Sequence, residues 1–191
     1  MPEVNHDTHA KIINYISQTA GTYRLISINE EKIKLCDIQN PSRILTEIPF
    51  TGDIYHQLYD PVKRKVYFAT TQGILIISLL DFKTRLISLF EFTNESECNC
   101  LLRDTSGHIW VSGKTKLIRL DPETEKIEVF GKADGIGSDE FLEGGCHKIS
   151  DDSALFIKKK SLIRFRPSSL AQPCIKPYVY LSDFAINYTQ T

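Results

Sequence analysis

An all-β fold made of repeated four-stranded antiparallel units is predicted by three observations. Short runs alternate apolar and polar residues with period two. They are rich in Ile, Val, Phe and Tyr and are broken by turns every few residues. One plan of strands and turns also returns along the chain: the first apolar residues of successive third strands, Ile33, Ile74, Leu117 and Leu162, follow one another at 41, 43 and 45 residues. A period of about 40–50 residues with four strands per unit is the sequence sign of β-propeller blades.

The elements follow in order. Residues 1–18 read as the end of a preceding blade or a linker, and HAKIINYISQ within them could be a helix or an outer strand. Residues 19–54, with YRLISINEEKIKLCDIQNPSRILTEIPF, form a degenerate blade. Residues 55–97 form a blade in which HQL, VYFAT, ILIISL and RLISLF are strands and DPVKRK and DFKT are turns. Residues 98–143 form the clearest one: CNCLL, the turn RDTSG, IWV, the tight connection GKTK, LIRL, the turn DPETEK and IEVF. Residues 144–177, with HKISDDSALFIKKKSLIRFRPSSL, form the last blade, and residues 178–191 lead into a following domain. Each blade must bury both faces against neighbours. About four blades are therefore expected to be part of a larger propeller, or to pair with a second copy, rather than to close alone.

Bulk numbers narrow the classes of function. The chain has 191 residues, 41% hydrophobic and 25% charged, an ordinary globular composition. Lys and Arg total 23 against 24 Asp and Glu, which argues against a nucleic-acid or anionic-membrane partner held by bulk charge. GILIISLL, the most apolar run, is far too short to span a bilayer. MPEVNHDTHAK lacks the basic start and apolar stretch of a secretory signal. Five scattered cysteines, Cys36, Cys98, Cys100, Cys146 and Cys174, do not look like a disulfide framework and are expected as buried or half-buried thiols. Cys98 and Cys100 share a strand face with Cα atoms about 6.5–7 Å apart, at or beyond disulfide reach.

RDTSGHIWVSGKTKLIRLDPETEKIEVF resembles the two-component-regulator propeller repeat, through Asp104, Gly107, Ile109, Trp110, Gly113, Leu117, Asp121, Pro122 and Phe130. The upstream unit keeps Asp60, Tyr67, Thr70, Gly73 and Ile74 of the same pattern. DGIGSDEF is similar to the Gly-rich link before that family's final blade, and FRPSSLAQPCIKPYVYLSDFAINYTQT to the exit toward an immunoglobulin-like domain. The chain departs from the pattern at Ser112-Gly113-Lys114, at Lys116 and in KKKS of the last blade. The resemblance implies the periplasmic part of a hybrid two-component sensor histidine kinase. It implies a non-enzymatic receptor segment for oligosaccharides, acting as a homodimer through the parent receptor.

Propellers usually bind where loops between blades converge on the central channel. Here those loops are 50–55, 93–99 and 134–145, with the hairpin tips TTQG and GKTK expected on the same side. Tyr55, Gln72, Asn99, Lys114 and Asp139 are the candidate ligand-binding residues, offering an aromatic platform and hydroxyl partners. For each, a solvated turn residue is the plainer reading. Trp110 lies inside the apolar strand IWV, which favours core packing over sugar stacking, and Lys158–Lys160 could contact an anionic sugar, though a charged hairpin tip is the more common explanation. His56, Cys100 and His147 hold equivalent inner-strand positions and are metal-ligand types. Such positions spread around a ring, however, so no metal site is expected. No cofactor motif, nucleophile elbow or phosphate loop is present in the sequence. Two rival classes stand beside the sensor. One is a propeller-fold lyase or hydrolase acting on sugars, with His56, Asp139 and Glu140 as its acid–base groups. The other is a protein-binding scaffold.

Overall fold

The computed structural model describes residues 11–16, 24–28, 32–37, 40 and 42–170. These residues make four antiparallel sheets, each a simple up-and-down meander in chain order. The first holds β1 (Lys11–Ile16), β2 (Arg24–Ile28), β3 (Lys32–Asp37) and β4 (Ile44–Pro49). The second holds β5 (Ile54–Asp60), β6 (Lys65–Thr70), β7 (Gly73–Ser78) and β8 (Thr84–Ile87). The third holds β9 (Cys100–Arg103), β10 (Ile109–Ser112), β11 (Leu117–Leu120) and β12 (Ile127–Phe130). The fourth shows three strands, β13 (Phe141–Ser150), β14 (Ser153–Lys158) and β15 (Leu162–Phe165).

Period-two patterning explains how the sheets stack. In β6, Val66 and Phe68 pack toward the first sheet, against Ile33, Leu35 and Ile48. Their alternates Tyr67 and Ala69 pack toward the third, against Leu101, Ile109 and Val111. A strand buried on both faces has no polar side, which is why VYFA is continuously apolar. The third interface repeats the scheme, with Cys100, Leu102, Trp110 and Leu117 against Phe141, Ala154 and Phe156. Each such Phe, Leu or Ile contributes about 1.5–3 kcal/mol by leaving water. Glycine is required at one hairpin tip: Gly73 has φ +128°, and a Cβ there would lie 2.2 Å from the Ile87 carbonyl oxygen.

Trp110 is fully buried, as its place in IWV predicts. Its ring lies 4.7 Å from Phe165 of the next sheet and 5.6 Å from Phe130, centroid to centroid. Its indole N–H donates to Asp104 Oδ2 at 2.9 Å, while Asp104 Oδ1 accepts the His108 N–H at 3.0 Å. The Asp-rich turn thus satisfies the one polar atom that the buried Trp carries. Asp60 does similar work one sheet earlier: its Oδ1 accepts the N–H groups of Val62 and Lys63 and meets Arg103 Nη1 at 2.8 Å.

Four expectations are corrected. Lys11–Ile16, inside the segment read as the end of a preceding blade or a linker, is a strand paired with β2 and belongs to the first sheet. Likewise β13 starts at Phe141, inside the range assigned to the third unit. Cys100 and Cys146 are not thiols but a disulfide joining the third and fourth sheets, with Cα atoms 6.0 Å apart. The spacing argument tested only neighbours in one strand, whereas the bond forms between strands 46 residues apart. Lys158 is not part of a solvated tip: it is 2% exposed and donates to the Ile136 carbonyl at 2.7 Å. Cys174, the fourth strand of the last unit and the lead into a following domain lie outside the described residues.

Cys36 and Cys98 remain buried free thiols. Burial pushes both above the usual thiol range; for Cys98 the Thr70 backbone contact only partly opposes it. Thiolate is the reactive form, so iodoacetamide at mildly alkaline pH is expected to spare both in the folded protein and to label both after denaturation. Peptide-resolved mass spectrometry reads this directly; rapid native labelling of Cys98 would show that its surroundings open.

Candidate functional site

In the second, third and fourth sheets, the loops that enter the sheet and the hairpin tips between its second and third strands meet on one face, tied by backbone bonds. Thr71 N–H donates to Asp53 O, Cys98 N–H to Thr70 O, and Asn99 N–H to Ser112 O. Phe141 N–H donates to Lys114 O, Gly144 N–H to Asn99 O, and Lys159 N–H to Glu140 O. The opposite ends of the inner strands carry the tight Asp turns. The inner strands β5, β9 and β13 approach one another, so the residues that start them gather at the centre of this loop face.

A cleft of about 340 Å³ opens there between the third and fourth sheets. Glu97, Asn99, Lys114, Glu140 and Glu143 supply its polar wall, and Phe141 and Leu142 its apolar one, with Lys159 at the edge. Lys159 and Lys114 both face Glu140, the latter at 3.5 Å. Lys159 holds the Glu140 carboxyl below the usual range, and Glu140 in turn raises the ammonium. The Tyr55 hydroxyl bonds Glu97; burial, with Glu143, Glu97 and Asp53 nearby, raises its pKa. The site therefore offers carboxylate acceptors, ammonium donors and a small apolar wall, with the Tyr55 phenol beside it. That is a donor set for hydroxyl-bearing ligands.

Asn99 and Lys114, named from sequence, both line the cleft, and Tyr55 stands beside it through Glu97. Asn99 is largely structural: its Nδ2 donates to the Gly113 and Phe141 carbonyls, each at 3.2 Å, while Oδ1 finds no donor among the described residues. Gln72 lies on the same face but outside the cleft, its Nε2 donating to Thr51 O at 2.5 Å. Asp139 is occupied elsewhere. Burial would raise its pKa, but bonds from Ser161, Lys158 and the Lys160 N–H outweigh this and lower it. Glu97 and Glu143 escaped the sequence reading as binding residues because only the packed loops bring them together, with Lys159, onto one cleft. The groups of the hydrolytic alternative do not converge either. Asp139 faces Lys158 and Ser161, Glu140 is held ionised by two lysines, and His56 lies on an inner strand below the loops.

A second hollow, of about 290 Å³, lies between the second and third sheets. The Arg85–Glu125 ion pair stands in its lining, among residues of the turns opposite the loops. It is remote from the convergent loops and is not the candidate site.

Beneath the cleft, the ring-spreading argument against a cluster fails. His56 and Cys100 do meet, and the third partner is Cys146 rather than His147; one nitrogen and two sulfurs lie within 4.8 Å of one another. The register of β13 shifts between Phe141 and Cys146. Five residues of β13 pass against two of β14 there, and an odd shift exchanges the faces of a strand, so Cys146 turns inward and His147 is left exposed.

No family model matches the chain. A protein named histidine kinase P4, from Formosa agariphila, is 24% identical over 86 residues, which is 45% of this chain and 6% of that protein. Among solved structures, one described as the extracellular domain of a hybrid two-component system from B. thetaiotaomicron superposes with a TM-score of 0.71 and 16% identity. It covers 93% of this chain and 26% of its own. A second such domain from the same organism gives 0.64 and 11%, over 85% of this chain and 27% of its own. The chain thus shares its fold with extracellular domains of hybrid two-component systems and spans about a quarter of their length. No helix of the described residues is long and apolar enough to cross a membrane.

Proposed function

We propose that the chain supplies consecutive propeller blades to the periplasmic sensor region of a two-component histidine kinase, and that its loop-face cleft takes an oligosaccharide. The observation that carries this reading is the convergence of loops from successive sheets on one polar cleft holding Lys114, Glu97 and Glu143. The face-to-face stacking of four meander sheets, with inner strands drawn together, supports the blade arrangement. The shared fold with extracellular sensor domains supports an extracytoplasmic, non-catalytic role. The cross-sheet disulfide also suits an oxidising compartment. In this reading the segment touches neither nucleic acid nor membrane, and the parent receptor works as a homodimer whose equilibrium the ligand biases.

The test is a screen of glycan fragments against the complete parent ectodomain by calorimetry. Lys114→Ala and Glu143→Gln are expected to weaken the selected fragment about tenfold each, the loss of one charge-assisted hydrogen bond. Lys63→Ala, on the opposite face, should leave it unchanged. Binding indifferent to both cleft substitutions would move the site elsewhere on the propeller.

A further inference from the structure

The three inner strands bring together donors that the cleft does not use. His56 on β5, Cys100 on β9 and Cys146 on β13 each stand one residue beyond a loop-face residue: Tyr55, Asn99 and Gly145. Cys100 is fully buried, whereas His56 and Cys146 are half-buried, so the cluster keeps a path to solvent. Neutral imidazole is the form in which His56 would bind a metal. Its Nδ1 accepts only a long bond, 3.3 Å, from the Leu101 N–H. Two thiolates and an imidazole form a soft ligand set that selects thiophilic ions, and three protein ligands leave a fourth position open.

We propose that His56, Cys100 and Cys146 form a redox-gated metal site: a disulfide when oxidised and, when reduced, a His-Cys-Cys centre for one Zn²⁺. Sharing one ion requires the sulfurs to stand about 3.8 Å apart at Zn–S distances of about 2.3 Å, a separation that side-chain rotation supplies. The reductant is an external dithiol. It gives two electrons and two protons to the S–S bond, which breaks, and departs as its own disulfide. Zn²⁺ then displaces the two thiol protons to solvent. Because the ligands come from three sheets, the ion would tie together the strands that carry the cleft. The inference does not depend on what the cleft binds.

The experiment titrates Zn²⁺ alone into the full chain, before and after reduction by a phosphine that is then removed, with circular dichroism confirming the fold. One equivalent is expected to bind the reduced protein and none the oxidised one. Cys100→Ser and Cys146→Ser should each abolish binding, and His56→Ala should weaken it about tenfold or more. His56→Ala keeps both sulfurs, so it tests the centre even if a serine variant fails to fold. Binding to the oxidised protein, no binding to the reduced one, or binding indifferent to His56 and the cysteines would overturn the assignment. Loss of the fold on reduction would do so too.

Discussion

Trp110→Ala is expected to lower the unfolding free energy by about 3–5 kcal/mol, the range for deleting a large buried aromatic. The residue is fully buried and joins two sheets through Phe130 and Phe165. Its removal opens a cavity at the third interface and strands the Asp104 carboxylate, 8% exposed, without its indole donor. Against a typical total of about 5–15 kcal/mol, that is a large share. Trp110→Phe separates the two terms: it keeps most of the ring contact and loses the hydrogen bond, for about 1–3 kcal/mol. Urea denaturation followed by circular dichroism measures both. A cost below about 1 kcal/mol for the alanine variant would mean that the third and fourth sheets do not pack through this residue.

Asp60→Ala is expected to cost about 3 kcal/mol, the low end for breaking a buried ion pair. Asp60 is 1% exposed, whereas the Arg103 side chain is 28% exposed and can turn to water when its partner is lost. The same change deletes two backbone hydrogen bonds that hold the Val62–Lys63 turn. Asp60→Asn keeps an acceptor for that turn and removes only the charge, so it should cost less. In a double-mutant cycle with Arg103→Ala, a coupling near zero would show that Asp60 acts on its own turn and not between sheets.

The meander was legible in the chain because alternation, turn chemistry and a period near 43 residues are local properties. The third strands of all four sheets start at or within one residue of the positions that the repeat picks out. Trp110 could be placed in the core for the same reason, since its neighbours Ile109 and Val111 mark a strand buried on both faces. The shared side of the loops and hairpin tips also followed from the repeat, because equivalent turns of equivalent sheets point the same way.

What tertiary structure alone decided lies where sheets meet. Lys158 sits in a run of three lysines that reads as solvated, yet the Ile136 carbonyl and Asp139 of the preceding loop draw it inward. Asp139, named as a binding residue, faces Lys158 and Ser161, while Glu97, Glu143 and Lys159 reach the cleft only because their loops converge. Cys100 finds Cys146 through the approach of two inner strands and a register shift in β13 that no alternation pattern reveals. Periodicity reports which face of a strand a residue occupies. It is silent on which residue of another sheet stands opposite, and the disulfide, the ion pairs and the cleft are all made of such opposite pairs.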